Sequence, residues 1–553
     1  MPSSGAPDMN GLTEALQAYH ERSKHRLDRY APGPGELDWA NQPNPFREFV
    51  GAMQVRLPLG ADSLATRYHD LRRGRLPAAR GFELETVAIL FELALGLSAW
   101  KSYGAQRWAL RCNPSSGNLH PTEGYLLCPK LPGLAAGLYH YQSRDHVLEQ
   151  RAALDNAQWN EAFAGGGVLV GLSSIYWREA WKYGMRAWRY CQHDCGHAIA
   201  ALAYAAAALG WQTQRIAFAS DEVVAGLMGI DRGADFASAE AEAPDVLLWV
   251  GEGDAWPDLA RLLGALGKAR WTGRANRLSA AQVDWPDIDS IHRATAKSGT
   301  FERLDRALED GAHSSQRIGA TPPAPLAPDP ALDLSFARIA RQRRSAVDFD
   351  ALTRISAAAF FGMMEAVLID RERPPWNALG SSAGVHAALM VHRVDGLDPG
   401  LYLLVRDPAH LPSLKRSLRS EWLWRHAGPE GLPLFLLLPQ DLRAAAKIIC
   451  CHQAIAAGSC FSLGMLANFE LALQEPSRYR DLYWECGMLG QALYLEAEAA
   501  GIRATGIGCF FDDEMHALLG ISEDSWQSLY HFTAGGARSD ARLSSLPPYE
   551  FQP

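Results

Sequence analysis

The sequence predicts an α+β fold made twice: two tandem domains of the same kind, folded against each other as a pseudo-dimer within one chain. The first observation behind this is internal repetition. Ser115-Ser116-Gly117-Asn118-Leu119-His120 recurs as Ser381-Ser382-Ala383-Gly384-Val385-His386, 266 positions later, and "GLY" recurs at Gly137 and Gly400. Residues 194–230 then align without a gap on residues 485–521, 291 positions later. The second observation is length, since 553 residues exceed what one hydrophobic core serves. The third is a proline-rich, aperiodic stretch at 318–334, "IGATPPAPLAPDPALDL", of the kind that forms extended linkers. The first domain is placed at 1–280, with an N-terminal extension, the linker at 281–334 and the second domain at 335–553. Duplicated domains arranged in this way carry an internal two-fold relation like that of an isologous homodimer.

Each element follows from local pattern. In the shared segment, a long apolar helix is expected at 195–209 and at 486–500, ended by Gly210 and Gly501, a common residue just past a helix C-terminus. A short strand comes next, and then an Asp-capped helix at 221–227 and 512–519. The runs "EGYLLCP", "GLYHYQ", "DVLLWVG" and "LPLFLLLP" read as strands.

Composition narrows the partners. With 48% apolar and 21% charged residues the chain is of globular type, and a formal charge of −9 with a pI near 6.0 speaks against a broad nucleic-acid or anionic-membrane surface. Small-molecule or peptide partners fit better. The N-terminus has no apolar stretch behind a basic start, and the longest apolar run, 198–211, is too short and alanine-rich for a membrane span. A cytoplasmic location is expected. Nine cysteines, an odd number, argue against a disulfide framework and for reduced thiols. In "CQHDCGH", Cys191 and Cys195 share one helix face while His193 and His197 share another, so one ion cannot collect all four, and no metal site is expected.

Four pieces of sequence, "PSSGNLHPTEGYLL", "WKYGMRAWRYCQHDCGHAIAALAYAAAALGW", "RQRRSAVDF" and "GIGCFFDDEMHALLGI", together resemble the nitroreductase-like flavoproteins, in particular the SagB/ThcOx-type dehydrogenases. The resemblance runs through both domains. It implies FMN held at the interface between two nitroreductase-like domains, each flavin touched by both. Arg344 and Ser345 stand where the family places its phosphate-binding start motif, although Val347 occupies a position that is often a further arginine. A guanidinium can take two phosphate oxygens at once and a hydroxyl adds another bond. Arg538 and Arg542 are offered as further phosphate partners, and Gly506, Ile507 and Gly508 as the stretch along the flavin edge, where a small residue admits close backbone approach.

The first domain has Arg215, Ile216 and Ala217 in place of those glycine-edge residues, but it keeps the partner-side loop Pro114, Ser115, Ser116 and Gly117. That loop is also compatible with an ordinary turn. Lys182 and Tyr183 resemble the Lys-Tyr pair that azoline dehydrogenases use near the flavin, as a base that removes a proton while hydride leaves; packing on a helix is the alternative.

The complementary losses imply one composite FMN site and one dead counterpart. The expected activity is an FMN-dependent dehydrogenase or oxidase acting on a peptide azoline or another small biosynthetic intermediate. Two other readings stay open: an NAD(P)H-dependent nitro or quinone reductase, which rapid flavin reduction by NAD(P)H would reveal, and a non-catalytic flavin- or peptide-binding scaffold, which colourless protein would favour.

Overall fold

A computed structural model describes residues 9–154, 157–253, 256–298, 334–380 and 383–549. Each half is built around an antiparallel sheet, and the central five strands have the same order in both. In the first sheet that order is Gly137–Gln142, Thr122–Cys128, Val168–Ser174, Ala243–Gly251, Gln212–Arg215. In the second it is Gly400–Leu404, Val385–Val391, Phe461–Asn468, Trp526–Gly535, Arg503–Ile507. Helices flank both sheets, so the α+β class and the tandem arrangement hold.

Five helices organise the rest: α1 (Met9–Arg22), α2 (Tyr176–Tyr183), α3 (Ala187–Ala208), α4 (Phe336–Gln342) and α5 (Arg478–Ala499). The shared long helix is therefore longer than its apolar stretch suggested, beginning at Ala187 and Arg478 rather than at Cys195 and Cys486. The added turns carry Arg189, Tyr190, Arg480 and Tyr483, whose polarity masks the period. Every residue of α3 is buried nonetheless, because one face meets its own sheet and the other meets α5.

The α3–α5 contact lies on the pseudo-two-fold axis. Gly196 and Gly487, equivalent in the repeat, touch each other there: a Cβ built on Gly196 would fall on the Trp484 carbonyl and 2.9 Å from Gly487 Cα, and one on Gly487 would fall on the His193 carbonyl and 2.8 Å from Gly196 Cα. Glycine at both positions is what lets the two backbones meet.

A pair of reciprocal ion pairs flanks this axis. Arg189 of the first half binds Asp512 of the second (2.7 Å), and Arg480, the counterpart of Arg189, binds Asp221, the counterpart of Asp512 (2.6 Å). These aspartates were expected as helix caps, and the structure corrects this. Both are the first residues inside their helices, Ser220 caps the first helix, and the carboxylates reach across the domain boundary instead. Burial alone would raise the Asp512 carboxyl, but Arg186 and Arg189 outweigh it and hold the group well below its ordinary value. Asp512→Ala, which strands two buried guanidiniums, is expected to cost about 3–5 kcal/mol by urea unfolding. Because the folded carboxyl is the stronger acid, its contribution is complete above about pH 4 and fades as pH falls below that.

Both chain ends cross to the opposite half. On α1, His20 bonds Tyr479 Oη (2.8 Å) and Gln527 Oε1 (2.9 Å). Near the C-terminus, Ser544–Leu546 pairs with Leu97–Tyr103, and the Leu97 N–H donates to Tyr549 Oη (2.8 Å). The expected linker also needs adjustment, because Pro286–Ala294 within it is a helix packed on α1, with Asp287 bound to Arg22 (2.5 Å). The proline-rich part falls in 299–333, outside the described residues. Among the described residues, no helix is long and apolar enough to cross a membrane.

Candidate active site

A cavity of about 1040 Å³ opens where the two halves meet. One wall is the first-domain loop of Pro114, Ser115, Ser116 and Gly117 with Tyr183, Tyr190 and Asp194; the opposite wall is Arg343, Arg344, Ser345, Gly506, Ile507, Gly508 and Arg538 of the second. Most of the residues singled out in the sequence thus converge. Two do not line it. Arg542 lies at the surface in a bidentate pair with Asp540, and Lys182 sits beside the rim with Nζ 5.2 Å from the Tyr183 ring centroid. Lys182 was expected from the resemblance to a Lys-Tyr pair and Arg542 from the stretch it shares with Arg538, but residues close in a helix or turn point in different directions. The worn copy of the loop falls partly on Ser381 and Ser382, outside the described residues.

The loop is shaped by its own hydrogen bonds. His120 N–H donates to Ser115 Oγ (2.8 Å), and Gly117 takes φ 59°, where a Cβ would fall 3.2 Å from Tyr183 Cζ and closer still to its hydroxyl. From α3, Asp194 holds the loop from behind: Ser116 N–H donates to both carboxylate oxygens (3.1 Å each) and Ser116 Oγ–H to one (3.1 Å). Burial raises the Asp194 carboxyl to about 7 against the lowering effect of the Ser115 and Ser116 bonds. A raised folded pKa stabilises below the unfolded value and is lost as pH rises through the folded one. Wild type is therefore expected to lose stability relative to Asp194→Asn between pH 4 and 7, by a few kcal/mol at most, when urea unfolding is followed across that range.

On the facing wall, Tyr494 of α5 gathers the second-domain pieces: its hydroxyl bonds Ser345 Oγ (2.8 Å) and accepts the Gly506 N–H (3.0 Å). The glycines have reasons of their own. A Cβ on Gly506 would collide with Tyr530 Oη, and one on Gly508 with the ring of Tyr190, whose hydroxyl donates to the Gly508 carbonyl (3.1 Å). Close approach is required here by tyrosines that reach the strand.

Charge is one-sided at the other end. Among the described residues, the Arg344 guanidinium donates to carbonyls, those of Arg341 (2.8 Å), Arg343 (2.6 Å) and Ser98 (3.0 Å). Burial, reinforced by Arg343, pushes Arg344 down to about 10, and Lys101 is lowered by burial and by Arg344 and Arg503. Arg343 and Arg111 each bury an Nε without a hydrogen-bond partner among the described residues. Against these cations stands Glu498, which bonds the Arg344 N–H (3.2 Å) and lies 3.5 Å from Arg503. A group bearing several negative oxygens would relieve this imbalance. The sequence reading missed Lys101, Arg343 and Arg503; adjacency to Arg344 was an available signal for Arg343 and the shared strand with Gly506 for Arg503, while Lys101 arrives by tertiary pairing.

Tyr183 lies at the loop with its ring edge-on to Tyr190 (4.6 Å), and burial, with Glu179 nearby, raises its phenol well above the ordinary value. It is built to stay protonated, so it suits a hydrogen-bond donor better than the base expected for this pair.

The pseudo-symmetric counterpart of the cavity is plugged. Where Gly506 stands on one side, Arg215 stands on the other, and where Tyr190 stands, Asp481. Arg215 Nη1 binds Asp481 Oδ1 (2.5 Å), Lys297 adds a second contact to Asp481 (3.4 Å), and both cations lie over Trp484.

Comparison with known proteins agrees with this architecture. The nitroreductase family profile matches residues 83–239 and 403–536. A protein assigned as a nitroreductase from Anabaena variabilis shares 22% identity and superposes with a TM-score of 0.67 over 95% of this chain and 99% of its own. The Escherichia coli microcin synthetase complex McbBCD with truncated pro-MccB17 matches 46% of this chain and 100% of its own at 18% identity and TM-score 0.26. Among curated proteins nothing matches. With two matched regions and two sheets that share a strand order, the chain belongs to the nitroreductase family, as a tandem-domain oxidoreductase of that superfamily.

Proposed function

We propose that the chain binds a single FMN between its halves and works as an FMN-dependent dehydrogenase or oxidase of SagB/ThcOx type. The observation that carries the reading is the asymmetry of the two interdomain positions: one is an open cavity with unbalanced positive charge, the other is filled by Arg215, Lys297 and Asp481. The cavity suits the group. Its volume lies at the top of the range of about 300–1,000 Å³ usual for small-molecule sites, and the orphaned Nε atoms of Arg343 and Arg111 with Arg344 and Lys101 suit a phosphate.

Arg343, Arg344, Ser345 and Arg538 would hold the phosphate end, and Gly506, Ile507, Gly508 and the loop of Pro114, Ser115, Ser116 and Gly117 would flank the ring. Bound there, FMN supplies two-electron hydride chemistry. Tyr183 keeps its proton and orients a substrate carbonyl or ring nitrogen by donating to it. Asp194, a carboxyl near 7 on the same wall, is the group able to accept a proton at neutral pH. The substrate class, a peptide azoline or another small biosynthetic intermediate, rests on the resemblance carried by the loop and the Lys182–Tyr183 segment.

The test is equilibrium dialysis with FMN followed by anaerobic mixing with azoline peptides. One flavin per chain is expected, bleached by substrate and re-oxidised by O₂. Arg344→Ala should weaken FMN binding by roughly 10- to 100-fold, the worth of a charge-assisted bond of about 1.5–3 kcal/mol. Bleaching by NAD(P)H and not by substrate would turn the reading to a reductase, and failure to bind FMN at all would end it.

A further inference from the structure

A second chemistry is laid out on the same cavity wall. Cys509, the residue after Gly508, lines the cavity. Its thiol interacts electrostatically with that of Cys451, and these are the two partly exposed cysteines, the other seven being buried.

Three segments bring the pair together. The N-terminal arm runs beside the stretch after Cys509: His25 N–H donates to Asp512 Oδ2 (3.1 Å), and Asp512 N–H returns to the His25 carbonyl (3.1 Å). On the other side, Phe511 N–H donates to the Ile449 carbonyl (2.8 Å), and Gln453 Nε2 donates to the Cys509 carbonyl (3.0 Å). Between these anchors, Cys451 and His452 both take left-handed backbone, φ 51° and 61°. Such conformations are costly for residues with a Cβ, and two in succession persist only where the surroundings hold them. The loop of residues 449–453 is held beside the stretch that carries Cys509.

His25 completes the group. Its Nδ1 accepts the Ala31 N–H (2.9 Å), so the neutral ring carries its proton on Nε2, the nitrogen left to bond the Cys509 sulfur. Donation from Cys451, with help from His25 and Arg186, holds the Cys509 thiol well below its ordinary value, while the same contact and burial push Cys451 up. An accessible sulfur that ionises easily beside one that does not is the asymmetry found in attacking and resolving thiols.

We propose that Cys509 and Cys451 form a dithiol that reduces small disulfides admitted by the cavity, with Cys509 as the attacking sulfur and Cys451 as the resolving one. The Cys509 thiolate attacks a disulfide RSSR; a mixed disulfide forms, the R–S–S–R bond breaks and RS⁻ leaves. That thiolate takes the Cys451 proton and departs as RSH. Cys451 then attacks Cys509 Sγ, displacing the second RS⁻ and closing the Cys451–Cys509 bond. Two electrons pass from the pair to the substrate, and one thiol and one thiolate are released. Oxidised glutathione, a small disulfide, is an accessible probe of this class.

The experiment uses the full reduced chain without added flavin, so its result is independent of the proposed FMN chemistry. Oxidised glutathione is added, the reaction is acid-quenched, free thiols are alkylated and peptides are read by mass spectrometry. Wild type should lose alkylation at 451 and 509 together and yield a peptide pair linked between them. Cys451→Ser should accumulate glutathione on Cys509, and Cys509→Ser should leave Cys451 alkylated. The wild-type result alone decides the matter if a variant misfolds: both thiols still alkylated, or glutathione retained on Cys509 without the internal bond, would overturn the proposal.

Discussion

Gly487→Val is expected to abolish the soluble folded protein, or to cost on the order of 3–5 kcal/mol where some survives. The Cβ at this position has nowhere to go, because the nearest atoms are the His193 carbonyl and the Gly196 Cα, backbone in both cases, which cannot rotate aside. Spreading α3 from α5 to admit three carbons would loosen the reciprocal Arg189–Asp512 and Arg480–Asp221 pairs and open the cavity at the same time. Soluble yield and urea unfolding followed by tryptophan fluorescence measure the effect. Gly264→Ala is the control: Gly264 lies within the helix Leu259–Leu266, a Cβ there meets nothing within 4 Å, and the change should be neutral or stabilising by under about 1 kcal/mol. Equal losses in both variants would show that the axis contact is not special.

Gly506→Arg should take bound FMN from one per chain to near zero, with an apparent Kd raised at least about 100-fold, close to 3 kcal/mol. The change copies into the open cavity the residue that fills its counterpart. There, Arg215 is neutralised by Asp481; here the corresponding position is Tyr190, so the new guanidinium gains no acid, displaces Tyr530 and adds a charge beside Arg343 and Arg344. The reverse change, Arg215→Gly, should leave the ratio at one, because Lys297 and Asp481 still occupy that position. Flavin absorbance after gel filtration reads both, with circular dichroism to establish that each variant is folded. A ratio near two in wild type would refute the single-site reading.

The fold was legible because duplication wrote it twice. The gapless alignment of residues 194–230 on 485–521 already contained the axis glycines and the crossing aspartates, although an aspartate before a helix reads as a cap until the partner arginine is seen across the boundary. The loop with Pro114 and the segment with Arg344 were legible for a similar reason: their residues act through local backbone geometry, and local geometry is written in consecutive letters. What stayed hidden depends on tertiary placement. Lys101 arrives on the strand Leu97–Tyr103 from the first half, and Tyr494 and Asp194 from the two central helices. Each looks like an ordinary helix or strand residue in sequence. Lys182 and Arg542, expected from the resemblance and from a basic stretch, lie off the cavity lining, because neither signal says which way a side chain points.

The exchange of chain ends has a consequence for how the protein is made. Helix α1 is the first described element to be made, yet the surface that receives His20 includes Tyr479 and Gln527, 459 and 507 residues later; at about 5–20 residues per second the wait for both is some 25–100 s. The strand Ser544–Leu546 likewise closes onto Leu97–Tyr103, made about 440 residues earlier. Each half therefore takes its final form only once segments of the other half have been made.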